Sequence, residues 1–300
     1  MSKTALAKYG VTFHFAGRLL SKAHIEKAGK LYEICREADD IADNAENKTK
    51  ASEKLLTEKK NLLDQSFSSP WSKKAQNLLS PRGRLALLDL LDGVISDLKL
   101  VRIKDQDELL VYCYRVAGSV GLMMCDIFEI KDKRALDYAV TLGIAMQITN
   151  ICRDVQEDAT IDRRYLPGDD CSDLEPTNLM NPNSTEREII RKNVSYLLKL
   201  ADDFYDFSEK GLVFLPWRAR LGILVASHAY KEIGRILKYR HSCDIWKGRV
   251  ITSNRRKIYV ALKAILISIC RPSFYFYNSS ESLPLCVNKL RYSWHNDKNA

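Results

Sequence analysis

AMQITNICRDVQED, residues 145–158, is the stretch that decides how this chain is interpreted. Gln147, Asn150, Asp154 and Asp158 follow one another at steps of three, four and four residues, which places them on one face of an α-helix. Aspartates four residues apart repel each other unless a cation lies between them. Carboxylate and amide oxygens are ligands that suit Mg²⁺. The face therefore predicts a metal-binding stripe, although for one such pair alone an ordinary exposed helix end is the preferred interpretation.

A second acidic stripe, in READDIAD (residues 36–43), changes that balance. Arg36, Asp39, Asp40 and Asp43 also share one face of a helix, more than a hundred residues upstream of the first stripe. Two stripes with the same D-x-x-x-D spacing favour a face-to-face arrangement across a cavity, with metal ions between them. The pair indicates a metal site much more strongly than either stripe does.

The rest of the chain has helical periodicity and predicts an all-α fold. A polar, proline-bearing connection is expected at 68–81, and capping boxes at Asp105/Glu108 and Thr185/Glu188 are expected to open helices. The predicted helices cover 21–44, 50–66, 84–100, a segment that begins after Asp105, 132–158, 185–215 and 215–237. We expect one all-α domain over residues 1–272 and a tail of unknown role over 273–300.

Composition limits the classes of partner. The net charge of +9 calls for an anionic partner, but no nucleic-acid-binding motif accompanies it, so we expect diphosphates or an anionic membrane surface and no nucleic acid. The eight cysteines show no C-x-x-C spacing, which favours a reducing cytoplasm over a disulfide framework. The start of the chain lacks a signal-peptide pattern, and the apolar run 258–270 is too short to cross a bilayer. Any membrane association is therefore expected to be peripheral, on the inner face, and no obligate protein partner is evident.

Four blocks together resemble the signature of one family. READDIAD (36–43), YCYRVAGSVG (112–121), QITNICRDVQED (147–158) and RRYLP (163–167) are similar to the motifs of squalene/phytoene synthases, in the same order. These enzymes are head-to-head prenyl diphosphate synthases of the isoprenoid synthase fold. The resemblance runs from about Thr12 to about Lys257 and is closest to the bacterial phytoene synthases.

The resemblance assigns roles to individual residues. It implies metal ligation by Asp39, Asp43, Asn150, Asp154 and Asp158, and it places Tyr112 near the reacting carbons. The residues expected to bind substrate are Arg36, Gln147, Asn150, Arg153, Arg163, Tyr165, Tyr230 and Arg249.

Two departures from the family pattern bear on these roles. Thr12-Phe13 stands where the family usually has Ser-Phe. Asp162 replaces a commoner glycine before Arg163, an exchange expected to affect the turn of that loop.

The implied reaction condenses two geranylgeranyl diphosphates into phytoene through a cyclopropylcarbinyl diphosphate, with Mg²⁺ or Mn²⁺. The alternative within the family is squalene or dehydrosqualene from farnesyl diphosphate, and only squalene formation needs NADPH. A terpene cyclase or trans-prenyltransferase would not be expected to carry YCYRVAG and RRYLP. A non-catalytic subunit would be expected to lose acidic ligands, yet all are present.

Two other groups of aspartates receive no metal role. Asp89, Asp92 and Asp97 lack the four-residue spacing. Asp202 and Asp206 have that spacing, but we interpret them as a solvated face, with Lys199 and Lys210 as local ion-pair partners.

Overall fold

The computed structural model describes residues 17, 19–168, 171, 174–269, 272–277 and 282–290. These residues form twelve α-helices and one two-stranded parallel sheet, which confirms the all-α prediction. The helices are α1 (Lys22–Asp43), α2 (Lys48–Leu63), α3 (Pro70–Leu78), α4 (Pro81–Ser96), α5 (Gln106–Cys113), α6 (Ser119–Ile127), α7 (Arg134–Thr160), α8 (Pro176–Met180), α9 (Ser184–Glu209), α10 (Trp217–Tyr239), α11 (Asn254–Ile269) and α12 (Leu285–Asn288). The strands are β1 (Val101–Arg102) and β2 (Arg163–Arg164).

Helix α7 lies at the centre of the fold. More than half of its 27 residues are buried, and it packs against α6, α9 and α10. The approach to the preceding segment is very close: a Cβ atom on Gly143 would lie 2.3 Å from the Ala117 carbonyl oxygen, and one on Gly121 would lie 2.3 Å from that of Ala139. The small residues of YCYRVAGSVG are thus explained in part by helix–helix contact, at a cost of about 1 kcal/mol of helix propensity per glycine.

The helix that carries this block is not regular. A turn of π-helix, Tyr114–Gly118, separates α5 from α6. Turns of π-helix are rare in proteins, and those that occur often lie at functional sites. Nothing in the sequence pattern predicted this turn.

Two predicted boundaries were wrong. The expected connection 68–81 contains α3, because Ser69 caps a helix whose first residue is Pro70, a position where the missing N–H of proline costs nothing. Trp71 anchors this helix by donating from Nε1 to the Ile34 carbonyl oxygen at 3.0 Å. The capping box expected at Thr185/Glu188 lies two residues earlier, at Asn183 and Glu186.

Among the described residues, the helical stretch Gln106–Ile127 is long and apolar enough to cross a membrane. Half of its most apolar 18-residue segment, however, is buried inside the protein. It packs against α4 and α7, as expected for a core element of a helical protein. All seven cysteines within the described residues are free thiols.

Candidate active site

A cavity of about 400 Å³ runs beside α7. Asp39, Gln147 and Asn150 form its polar end, and apolar or small side chains line the remainder as far as Ala135. Asn150 and Ala135 are fifteen residues apart on α7, which corresponds to about 22 Å along the helix axis. The cavity is therefore a long apolar channel with carboxylate and amide groups at one end.

The polar end brings the two acidic stripes together. Asp39 faces the cavity from α1, while Asn150 and Gln147 face it from α7. Burial, followed by the nearby Asp43 carboxylate, raises the pKa of Asp39 to about 7. Burial, followed by the Asp154 carboxylate, raises the pKa of Asp158 to about 7. Both shifts reflect an excess of buried negative charge.

Arginines compensate part of this charge. Arg153 donates from Nε to Asp154 Oδ1 at 2.7 Å, and Arg249 Nε donates to the same oxygen at 2.9 Å. Burial raises the pKa of Asp154, but these two arginines outweigh it and hold the pKa below its ordinary value. Arg36 pairs with Asp40 at 2.6 Å. Arg163 lies 3.4 Å from Asp43 and so joins β2 to the first stripe.

Asp97 lies close to both stripes, and its carboxylate adds to the raised pKa of Asp39 and of Asp158, a role that sequence reasoning missed. Its carboxylate accepts hydrogen bonds from the hydroxyls of Tyr112 at 3.0 Å and Tyr165 at 2.8 Å, and the two phenol rings stack with centroids 4.7 Å apart. Arg163 donates to the Asp97 backbone carbonyl at 3.2 Å. Burial raises the pKa of Asp97. Asp97 lies at the C-terminal end of α4 and carries no spacing signal, so only the fold brings it here.

The donor set fits a divalent cation, although no group of three or more His, Cys, Asp or Glu in the described part of the chain is close enough to hold a metal ion. Asn150 Oδ1 is buried and has no hydrogen-bond partner. It lies at the polar end of the cavity with Asp39, a buried carboxylate that has too little positive charge nearby to keep its pKa low. Hard oxygen donors with this deficit are typical ligands of Mg²⁺. The residues that would hold it are those predicted from the sequence, Asp39, Asp43, Asn150, Asp154 and Asp158, of which Asp39 and Asn150 line the cavity.

The predicted substrate-binding residues occupy different parts of the site. Tyr230 lines the cavity, and burial raises its pKa to about 12. Tyr112, which the resemblance places near the reacting carbons, does not line the cavity, and its hydroxyl is turned to Asp97. Arg249 contacts Glu157 at 3.3 Å in addition to Asp154. The individual roles of these residues stay predictions.

Asp162 adopts a backbone conformation that glycine would adopt freely. Its φ of 61° lies in the left-handed region, which aspartate tolerates better than most residues. Its carboxylate binds Arg102 at 2.6 Å. The aspartate therefore accommodates the tight turn before Arg163 and fixes it to β1. The Thr12-Phe13 pair lies outside the described residues.

The aspartates excluded from metal binding all have protein partners. Asp89 accepts a hydrogen bond from Tyr114 at 2.6 Å. Asp202 and Asp206 pair with Lys238 and Lys231 of the neighbouring helix, at 3.4 and 2.5 Å, which are partners that the sequence pattern did not name. The partner lysines lie across the helix–helix contact, which sequence spacing along one helix does not reveal.

Comparison with known proteins identifies the family to which this chain belongs. A sequence model described as squalene/phytoene synthase matches residues 6–256. The chain belongs to the squalene/phytoene synthase family. Phytoene synthase of Pseudescherichia vulneris is 32% identical over 276 residues, covering 86% of this chain and 88% of the relative. Phytoene synthase of Cereibacter sphaeroides is also 32% identical, covering 82% and 73%.

Solved structures of the family share the fold. A dehydrosqualene synthase in complex with a ligand superposes with a TM-score of 0.78 at 24% identity, covering 90% of this chain and 96% of the other. A squalene synthase from Alicyclobacillus acidocaldarius gives a TM-score of 0.68 at 17% identity, covering 79% and 90%. The head-to-head synthase architecture is therefore common to members with different products.

Proposed function

We propose that this squalene/phytoene synthase joins two geranylgeranyl diphosphates head to head into phytoene. The observation that carries the proposal is the cavity: a long apolar channel with an acidic, arginine-bearing end. Such a site can hold an isoprenoid tail in the channel and a diphosphate at the polar end. The relatives named phytoene synthase, similar over most of both chains, support the C20 substrate.

The chain's own residues favour ionisation of an allylic diphosphate in three ways. Arg163 and Arg249 lie beside the acidic stripes, where guanidinium groups can bind phosphate oxygens bidentately. Mg²⁺ bound to the acidic residues would neutralise the negative charge of the leaving diphosphate. The apolar channel excludes water from the allyl cation that ionisation leaves.

The proposed sequence has two ionisations. Loss of diphosphate from the first substrate gives an allyl cation, and the double bond of the second substrate attacks it and loses a proton. The product of this step is a cyclopropylcarbinyl diphosphate. Loss of its diphosphate, rearrangement and loss of a second proton join the two C1 carbons as phytoene. Two diphosphates and two protons are released, and no reductant is consumed.

The test supplies C15 and C20 prenyl diphosphates separately with Mg²⁺, with and without NADPH, and identifies the hydrocarbon. We expect phytoene from the C20 substrate regardless of NADPH, and no turnover when a chelator removes the metal. Squalene from the C15 substrate that depends on NADPH would refute the proposal in favour of a squalene synthase. Dehydrosqualene from C15 regardless of NADPH would keep the mechanism and change the substrate.

A further inference from the structure

Helix α11 turns its largest apolar side chains outward. Its outward side chains are 48–65% exposed: Ile258, Tyr259, Leu262, Leu266 and Ile269. Its buried side chains are Lys257, Val260, Ala261, Ala264 and Ser268, of which only Val260 is a branched aliphatic residue. At 100° per residue the five outward positions form one continuous stripe along the helix. A helix that only covers a protein core has the opposite arrangement, so this stripe faces a surface that the described residues do not provide.

Aromatic side chains extend the stripe at the C-terminal end of α11. Trp217, 53% exposed, packs edge-on against Phe274 at 5.6 Å and stacks on Tyr275 at 6.5 Å. Phe276 beside them is also exposed. Tryptophan and tyrosine are enriched at the interface between a bilayer and water, where one part of the ring system is apolar and the other is wet. We call the α11 stripe and these aromatics the apolar face.

The segment that carries this face is strongly basic, and three of its cations, Lys231, Lys238 and Arg249, pair with acids outside it. Residues 211–276 contain thirteen Lys and Arg and two acids, a charge of +11 against a net +9 for the whole chain, so the remainder is slightly negative. One of the two acids, Glu232, is buried and already paired with Arg235 at 2.8 Å and Arg256 at 2.7 Å. Arg255 and Lys263, both exposed, lie on the same side of α11 as the apolar stripe.

From these observations we propose that the apolar face docks on the surface of an anionic lipid bilayer. Large aliphatic and aromatic side chains enter the headgroup region, and the flanking arginine and lysine bind lipid phosphates, as in interfacial amphipathic helices. The high positive charge of the segment argues against a second copy as the occupant, because two such faces would repel each other.

The apolar face lies close to the cavity, so docking on a membrane would bring the cavity near the lipid. Ala226 lines the cavity and packs in one cluster with Ala261 on the inner side of α11. Met146 lines the cavity and borders the same cluster. Helix α10 and then α11 itself therefore separate the cavity from the proposed membrane surface. This use rests on the proposed function: a prenyl diphosphate tail and a hydrocarbon product both partition into lipid.

The first test is vesicle flotation of the full-length protein without substrate. We expect binding to vesicles of phosphatidylcholine mixed with phosphatidylglycerol, weaker binding to phosphatidylcholine alone, and release at high salt. Leu262→Ser/Leu266→Ser should lower the partition coefficient about tenfold or more. The matched control is Leu56→Ser/Leu63→Ser, two leucines of similar exposure on α2, which should bind as the wild type does. Equal binding of the α11 variant and the wild type, or no binding of the wild type, would overturn the proposal.

A second measurement places the face directly. Brominated phosphatidylcholine in the mixed vesicles should quench tryptophan fluorescence in the wild type, and Trp217→Phe should remove most of that quenching. Unchanged quenching in Trp217→Phe would exclude the apolar face from the lipid. If the α11 variant instead converts a dimer to a monomer by size-exclusion light scattering, the face is a self-association surface and the membrane proposal is wrong. Phytoene formation in detergent is measured separately, so the two proposals fail independently.

Discussion

Asp97 shows what a single buried carboxylate does at the polar end of the cavity. Two phenols, from α5 and from the segment after β2, donate to its two oxygens at 3.0 and 2.8 Å. Tyr165 is 68 residues away in the chain, so no local pattern predicted the contact. The D-x-x-x-D rule found the stripes because a helix repeats within a few residues. It assigned no role to Asp97, because that residue reaches the site only when α4 and β2 pack together.

We predict that Asp97→Asn lowers kcat about 10–100-fold with a smaller change in KM, as expected when a residue positions catalytic side chains. An asparagine side chain has one oxygen that accepts, and its NH₂ group only donates, so it cannot accept hydrogen bonds from both tyrosine hydroxyls in the way that the two aspartate oxygens do. Steady-state kinetics with the C20 substrate measure the effect. Asp92→Asn is the control, since Asp92 on the same helix pairs with Lys59 away from the site. The effect of Asp97→Asn should shrink in a Tyr165→Phe background; full additivity would contradict the assignment.

We predict that Asp39→Ala lowers turnover by at least about 10²–10³, because the variant removes an oxygen donor from the polar end of the cavity. Circular dichroism should keep its helical signal. The control is Asp202→Ala, which removes an aspartate paired with Lys238 outside the cavity and should be nearly silent. Near-native turnover in Asp39→Ala would remove this residue from the metal ligands. A severe loss in Asp202→Ala would give the third D-x-x-x-D group a function.

The helices were predictable and their ends were not. Periodicity identified α1, α4, α7, α9 and α10 because each buries one face against the core. Pro70 was interpreted as a break, yet proline is compatible with the first turn of a helix. The π-helical turn at Tyr114–Gly118 could not be predicted, because it depends on how that helix packs against α4 and α7.

The contact between α7 and the glycine-rich block gives a prediction about stability. In Gly143→Ala the new methyl group would lie 2.3 Å from the Ala117 carbonyl oxygen, so the two helices must separate. We expect the free energy of unfolding to fall by about 1–3 kcal/mol, in spite of the better helix propensity of alanine. Urea denaturation measures the change.

Gly234→Ala is the matched control for this effect. Gly234 lies inside α10, and a Cβ there would be 3.2 Å from the flexible end of Leu198. Its stability should stay the same or rise by up to about 1 kcal/mol. Equal loss in both variants would show that glycine itself, and not the close helix contact, is required.

The cavity as a whole is the feature that sequence reasoning could describe least. Of four apolar residues on the helices around it, Leu122, Met123, Met146 and Leu224, only Met146 lines the cavity. Leu122 and Met123 are buried elsewhere in the core, and Leu224 packs against Ala264 and Phe274. Which face of each helix turns inward depends on packing between elements far apart in sequence. Phe274, at the start of the predicted tail, is itself buried in a cluster with Leu224 and Ala264.

The depth of the cavity gives the last prediction, which concerns the length of the substrate. Ala139 lines the cavity on α7 about two turns from Met146, in the part farther from the acidic stripes. Ala139→Leu adds three carbon atoms there and should exclude the far end of a C20 tail while a C15 tail still fits. Each methylene that must be displaced costs about 1–3 kcal/mol, so kcat/KM for the C20 substrate relative to C15 should fall about tenfold or more. Ala51→Leu makes the same change at a buried alanine of α2 that does not line the cavity, and it should leave this ratio unchanged. Equal losses for both substrates in Ala139→Leu would mean that the isoprenoid tail does not pass this position.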